Sequence, residues 1–257
     1  MKILCLLSIL ILASCGMKET VISNMDAILY HKTQSKLDLD SKQKTILKQD
    51  IKRFLNEQRL KTAEATKIIQ SIDLTQPQKI SLLYPGLIKT YRQVAIDYSA
   101  ILAKQMAGFS DKQFQSFLKE TAKENKEIED KISEKESEDY HKRFKFFFDT
   151  INESQKKILK SHMDFFKGQS TLRLTNRQAL HQQLTTIAEQ KIPTPEKEKR
   201  IFEAFKVYNQ NGFHNQDKII VIIQKLVEVL DPKQLAHFNE KKVEALEIIT
   251  LFAKSEY

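Results

Sequence analysis

The stretch Leu39-Asp40-Ser41-Lys42-Gln43 decides the fold class, because it has the form of a helix N-terminus and that form recurs along the chain. An apolar residue comes first, a residue whose side-chain oxygen can cap a helix follows, and a glutamine lies three positions after the cap. In such a capping box the cap oxygen accepts a backbone N–H, and the glutamine accepts the N–H of the cap residue. Stretches of the same form occupy 74–78, 109–113, 151–155, 174–178 and 230–234. The pattern predicts six helix starts, capped by Asp40, Thr75, Ser110, Asn152, Thr175 and Asp231.

Between these starts the apolar residues follow helical spacing, as in Leu47, Ile51 and Phe54. Gly108, Gly168 and Gly212 stand where helices are expected to end. No stretch alternates at period two, and five glycines are few for the turns of an all-β fold. The starts are unequally spaced, which disfavours a solenoid of equal repeats. We therefore predict an all-α fold, a multi-helix bundle or an array of helical hairpins with about eight or nine helices. Tyr84-Pro85-Gly86 is expected to kink or split the helix that follows Thr75.

The N-terminus has the features of a secretory signal peptide: Lys2 precedes an apolar run from Ile3 to Leu12, and small residues follow. A membrane span needs about 20 apolar residues, so this run is too short to be one. The closing Leu12-Ala13-Ser14-Cys15 resembles the lipobox of bacterial lipoproteins. In that family the cysteine thiol receives diacylglycerol, the peptide is cut just before the cysteine, and the new N-terminus is acylated. The alternative is an ordinary signal peptide with a chance cysteine.

The lipobox divides the chain into a lipoprotein signal peptide (1–14), a lipidated tether (15–24) and an all-helical periplasmic domain (25–257). Cys15 is the expected lipidation site, and its diacylglycerol and N-acyl chain are the only cofactors expected. Gly16 stands where an aspartate would follow the cysteine, and by resemblance to enterobacterial lipoproteins this implies sorting to the outer membrane, on its periplasmic face. Cys5 leaves with the signal peptide, so no disulfide is expected.

The sequence contains no complete motif for catalysis or for metal binding. The sequence contains no glycine-rich phosphate loop and no Gly-x-Ser-x-Gly, and its six histidines lack the spacing of a zincin site. Glu138 and His141 form one Glu-x-x-His, whereas a di-iron bundle needs that motif twice and two more glutamates. The net charge of +9 is a modest basic excess. We therefore expect a protein that is not an enzyme and that binds no metal, no nucleic acid and no small-molecule substrate, while its positive charge faces anionic lipid.

Two segments each have two interpretations. The stretch 141–148, His-Lys-Arg-Phe-Lys-Phe-Phe-Phe, is the densest basic and aromatic cluster. Arg143 with Phe144, Phe147 and Phe148 could dock an anionic headgroup or present phenylalanines to a client; alternatively the phenylalanines, spaced i, i+3 and i+4, enter the core.

The segment 119–139 has 14 charged residues among 21. It is either a solvated helix held by i,i+4 ion pairs or a protruding arm that contacts a partner.

Taken with their surroundings, the capping boxes resemble those of an uncharacterised family of proteobacterial helical lipoproteins, a domain of unknown function. The resemblance runs from about Tyr30 to Phe252, and Arg143 and Arg177 match two arginines of that family, whereas its tryptophan near the central box is absent here. It implies a helical fold and an envelope location, without an activity. Two boxes, 74–78 and 174–178, read Leu-Thr-x-x-Gln and are similar to the signature of periplasmic chaperones of the Spy and CpxP type.

Three functions follow as hypotheses. The first is a non-enzymatic adaptor or structural protein that is lipid-anchored to the outer membrane and binds another envelope protein. The alternative is a holdase chaperone for unfolded envelope proteins. A host-binding surface lipoprotein, by analogy with helical lipoproteins of spirochaetes, is the third and has no residue-specific support.

Overall fold

The computed structural model describes residues 18–134, 144–212 and 214–257, and within these ranges the chain is all-α, without strands. This confirms the predicted fold class. The described ranges contain eleven α-helices and one 3-10 turn, more than the eight or nine helices expected. The extra helices come from single-residue breaks at Asn24, Lys61 and His162, none of which has a side-chain cap hydrogen bond. Without a capping box, these breaks leave no clear mark in the sequence.

The helices follow one another through the chain with short connections. Their bounds are α1 Lys18–Ser23, α2 Met25–Gln34, α3 Ser41–Leu60, α4 Thr62–Ser71, α5 Ile80–Ala107, α6 Asp111–Glu134, α7 Glu153–Ser161, α8 Met163–Glu189, α9 Thr194–Asn211, α10 Gln216–Val227 and α11 Pro232–Lys254. The 3-10 turn Pro77–Lys79 leads into α5, and a short helical segment, 144–148, precedes α7. We call 144–148 the phenylalanine segment.

Four of the six predicted helix starts are confirmed, at Asp40, Ser110, Asn152 and Asp231. Asp40, Asn152 and Asp231 form complete capping boxes, and Ser110 exchanges the same two hydrogen bonds with Gln113. The prediction for Thr175 is wrong: it lies inside α8, where its hydroxyl donates to the carbonyl of Thr171, and Gly168 lies inside the same helix. Continuous i,i+4 backbone bonding there makes a cap unnecessary.

The box at Thr75 also differs from its prediction. Asp73 accepts hydrogen bonds from the backbone N–H and the hydroxyl of Thr75, so the aspartate organises the turn that precedes the 3-10 helix. Helix α5 then begins only at Ile80 and continues through Pro85, so the expected split does not occur. Pro85 lies near the start of α5, where the loss of one intrahelical bond affects only the first turns. At Gly86 an added Cβ would lie 3.4 Å from Ile68, which is close contact with α4.

The confirmed boxes join in pairs through their glutamines. Gln113 donates to the amide oxygen of Gln43 at 2.7 Å, and Gln234 donates to that of Gln155 at 2.9 Å, while Gln155 donates back to Gln234 at 3.2 Å. Each pair ties together two helix N-termini that lie 70 or 79 residues apart in sequence. Gln155 and Gln234 are both 1% exposed, whereas Gln43 and Gln113 are half-buried.

Helix α5 is the central element, since it packs against α3, α4, α9 and α10. Its C-terminal half lies in the main core, with Tyr98 and Met106 buried beside Leu47 and Ile51 of α3 and Ile201 of α9. Its N-terminal half lies beside two smaller clusters, one around Leu74, Phe148 and Val227, the other around Leu159, Ile222 and Leu226. We call these regions the solid end and the hollow end, because the two larger cavities open in the second, whereas the first has a cavity of only about 70 Å³, lined in part by Leu102 and Met106.

Several predictions concern residues outside the described ranges: the signal peptide 1–14, the lipidation site Cys15 and Arg143. The described part of the predicted tether, 18–24, is not extended: it forms α1, where Ile22 is 2% exposed and Lys18 forms an ion pair with Glu247 at 2.8 Å. Burial of an apolar side chain favours this docking. Among the described residues no helix is long and apolar enough to cross a membrane.

Candidate functional site

The phenylalanine segment combines the two interpretations of its sequence. Phe148 is 8% exposed and its ring stacks on Phe144 and on Phe238 of α11, at centroid distances of 5.7 and 6.1 Å. Phe144 and Phe148 therefore belong to the core, as one interpretation predicted. Phe147 differs: it is 44% exposed, and its ring contacts Phe146 edge to face at 5.1 Å. The three candidate phenylalanines thus divide into two rings that pack in the core and one that is exposed, although all three line the same open space.

That space is a cavity of about 440 Å³ at the hollow end, which we call the larger cavity. The end of α4, the start of α5, the phenylalanine segment, α8, α10 and α11 all contribute to its wall. Hydrocarbon and phenyl side chains form nearly all of the lining, and the exceptions are Asp73, Lys79 and Tyr84. Its volume lies within the range of roughly 300–1,000 Å³ that is typical of small-molecule sites. The larger cavity is therefore the strongest candidate for a ligand site among the described residues.

Tyr84 is one of the three polar residues in this lining. Burial raises the pKa of its hydroxyl above the ordinary tyrosine value, which already leaves the group protonated at neutral pH. Asp73 already accepts hydrogen bonds from Thr75 and Gln76, so its carboxylate is used within the turn. The surface that faces the larger cavity is almost entirely apolar, so a ligand there would meet hydrocarbon and phenyl groups.

A smaller cavity of about 210 Å³ adjoins the larger one. The two share Ile72, Leu87, Phe147 and Phe238 in their linings, so these four side chains form the partition. The smaller cavity is also lined by residues of α11, including Lys241 and Lys242. The ammonium of Lys242 donates to the carbonyls of Gln70 and Ile72, at 2.8 and 2.6 Å, and so holds the end of α4 against α11.

Arg177, the second arginine singled out by the family resemblance, lies elsewhere and makes internal contacts. Its Nε donates to the side chain of Asn125 at 2.9 Å, and its terminal nitrogen pairs with Glu124 at 3.1 Å. Burial acts to raise the pKa of Glu124, but the ion pairs with Lys36 and Arg177 outweigh it, and the pKa is lowered. Arg177 therefore joins α8 to α6, and through Lys36 to the turn after α2. Its side chain is only 11% exposed, which suits a structural role.

These contacts also show how the first part of the charged segment 119–139 is held. Helix α6 runs to Glu134 and packs against α8, and Asn125 is 7% exposed. The rest of the segment, 135–139, lies outside the described residues. The interpretation of 119–139 as a solvated helix is therefore incomplete, because a buried polar network anchors part of the segment.

The residues that could hold other chemistry are dispersed. Within the described ranges, no group of three or more histidine, cysteine, aspartate or glutamate side chains is arranged to hold a metal ion. Three of the five described histidines, His162, His181 and His237, lie within hydrogen-bond distance of backbone carbonyls, as when His181 lies 3.0 Å from the carbonyl oxygen of Leu118.

The sequence analysis missed most of the larger cavity. It named Phe144, Phe147 and Phe148, but not Leu83 and Leu87 of α5 or Ile219 and Ile223 of α10. One signal for the latter pair was present, since the run Ile219-Ile220-Val221-Ile222-Ile223 is more apolar than a helix with a single buried face requires. Against known proteins, no family model, no curated protein and no solved structure matches the chain.

Proposed function

We propose that this chain is a lipid-anchored lipoprotein of the bacterial envelope that binds an apolar ligand in the larger cavity. The lipid anchor and the envelope location come from the lipobox at Cys15. The ligand is supported by one observation, the apolar cavity of about 440 Å³. This departs from the expectation of no small-molecule partner, because the cavity arises between helices that are distant in sequence.

The volume supports an acyl chain as the ligand. An apolar cavity of about 150 Å³ holds one benzene molecule, so a volume near 440 Å³ accommodates roughly 18 carbon atoms. Each methylene transferred from water into such a site contributes about 0.8 kcal/mol. A long acyl chain therefore gains enough from burial to bind stably.

The test is to isolate the full-length protein from membranes, extract it with organic solvent and identify co-purified lipids by mass spectrometry. We expect about one acyl chain or more per protein. The double variant Leu87→Trp with Ile223→Trp narrows the cavity and should lower lipid content severalfold. Val207→Trp, at a position that is 42% exposed and lines neither cavity, is the matched control and should retain wild-type lipid content. Lipid content equal in all three proteins would contradict the proposal.

The holdase remains a second candidate, and the exposure of Phe147 favours it. A holdase displays apolar surface to unfolded chains, and Phe147 is one of the few large apolar side chains here with an exposed fraction above 40%. Phe144 and Phe148 weigh against it, because their rings pack inward. If Phe147→Ser abolished protection of an aggregating client while leaving lipid content unchanged, the holdase would be favoured over ligand binding.

A further inference from the structure

The larger cavity and the smaller cavity meet at the partition formed by Ile72, Leu87, Phe147 and Phe238, since each of these residues lines both. The surface that faces the smaller cavity is almost entirely apolar, like the surface that faces the larger one. An acyl chain that passed the partition would therefore remain in apolar surroundings. Whether one chain can occupy both cavities depends on which of the four side chains keeps them apart.

Three members of the partition, Ile72, Leu87 and Phe238, are half-buried. The ring of Phe238 stacks on Phe148 at a centroid distance of 6.1 Å, within the packed cluster of the hollow end. Ile72 packs against the same cluster, and its carbonyl accepts a hydrogen bond from Lys242 at 2.6 Å. Leu87 belongs to the continuous helix α5. These surroundings fix the position of the three residues, because close packing restricts side-chain rotamers.

Phe147 differs from the other three because its side chain is 44% exposed. Its ring contacts Phe146 and Phe148 of its own segment, at centroid distances of 5.1 and 6.5 Å. Loss of this ring would open space between the cavities with little effect on the core. We propose that Phe147 separates the larger cavity from the smaller one and so sets the upper length of the acyl chain that the protein binds. The inference rests on the proposed function, because it concerns the ligand of the same cavity.

The two volumes give the expected lengths. At the same volume per carbon, the smaller cavity of about 210 Å³ accommodates roughly 8 carbon atoms, in addition to the roughly 18 of the larger one. Eight carbons are too few for a second membrane acyl chain, which favours one long chain over two. Each methylene that becomes buried raises the affinity about fourfold, so access to the smaller cavity should have a large effect on the binding of long chains.

The test uses the full-length protein in detergent micelles, with an equimolar mixture of straight-chain fatty acids of about 12 to 26 carbons. Native mass spectrometry identifies each bound acid from the mass of the complex. We expect the wild type to bind acids up to about 18 carbons, and Phe147→Ala to bind acids of about 24 to 26 carbons at least tenfold more than the wild type does. The same upper length in both proteins would overturn the inference.

Two further variants separate access to the smaller cavity from added volume alone. Phe166→Ala removes the same ring from the lining of the larger cavity, outside the partition, and should leave the binding of the longest acids at the wild-type level. Ala245→Phe fills part of the smaller cavity, and in the Phe147→Ala protein it should return their binding close to that level. A gain in Phe166→Ala as large as in Phe147→Ala, or no loss on adding Ala245→Phe, would also overturn the inference.

The same measurement distinguishes this inference from the proposed function. A wild type that binds no fatty acid of any length refutes both. Bound acids whose upper length does not change in Phe147→Ala refute only the role of Phe147, and ligand binding in the larger cavity then stands.

Discussion

The two halves of α5 lie in different surroundings although they belong to one helix. In the C-terminal half Tyr98, Ala103 and Met106 are at most 1% exposed, and Leu47 and Ile51 of α3 are buried in the same core. In the N-terminal half Leu83, Tyr84 and Leu87 face a cavity of about 440 Å³. Both ends are fixed by paired capping-box glutamines of the same design. Helix formation and helix capping therefore do not decide whether an end is solid or hollow; the fit of side chains between helices does.

Truncating one leucine at each end should give the largest difference in the free energy of unfolding. Leu47→Ala is expected to lower the free energy of unfolding by about 3–5 kcal/mol, because Leu47 is 0% exposed and its removal leaves a void in a dense core. Leu87→Ala should cost only about 1 kcal/mol, because that side chain already borders open space and makes fewer contacts. Urea denaturation of both variants measures the two values. Equal losses would show that the hollow end is packed in solution.

The two glutamine pairs should differ in how much each contributes to the free energy of unfolding. Gln234→Ala should destabilise the protein by about 2–3 kcal/mol, because it removes the hydrogen-bond partner of Gln155, which is 1% exposed and cannot turn to water. Gln43→Ala should cost about 1 kcal/mol, since its half-buried partner Gln113 can turn to water. Both variants lose the same capping bond, so the difference isolates burial. A larger loss for Gln43→Ala in chemical denaturation would refute this account.

A larger side chain should destabilise the solid end and leave the hollow end unchanged or slightly more stable. Ala103→Leu is expected to destabilise by about 1–3 kcal/mol, because Ala103 is 0% exposed and the core has no space for the isobutyl group. Ala245→Leu, in the lining of the smaller cavity, should be neutral or stabilising by about 0.5 kcal/mol. Thermal unfolding of the two variants is sufficient to decide. If Ala245→Leu lowered the melting temperature as much as Ala103→Leu, the smaller cavity would not accept added volume.

The smallest predicted effect is on the stability of the folded protein at acidic pH. The pKa of Glu124 is lowered in the folded protein, so its ion pairs stabilise the fold above the ordinary value of 4.5 and are lost as pH falls through the lower folded value. Glu124 is 29% exposed, so the contribution is below about 1 kcal/mol. Between pH 5 and pH 3 the wild type should lose slightly more stability than Glu124→Gln. Parallel pH profiles for the two proteins would contradict a role for this carboxylate at the solid end.

Individual residues show which parts of the structure could be predicted from the sequence. Asp40, Ser110, Asn152 and Asp231 were identifiable as caps because the hydrogen bonds of a capping box lie within four consecutive residues. Thr75 and Thr175 have the same pattern without the same structure: Asp73 competes for the first, and the backbone of α8 continues through the second. The packing of Phe144 and Phe148 followed from helical spacing, whereas the exposure of Phe147 depended on which helices surround it.

The sequence by itself determined the all-α class and four of the eleven helix starts, because helical periodicity and capping act over a few neighbouring residues. It also contains the Leu12-Ala13-Ser14-Cys15 pattern that predicts a lipid anchor. Only the tertiary structure decided that the glutamines join in pairs, that Arg177 is held by Glu124 and Asn125, and that α4, α5, α10 and α11 enclose a cavity. Each of these depends on residues about 50 or more positions apart, and the space left between helices is set by how all their side chains pack together.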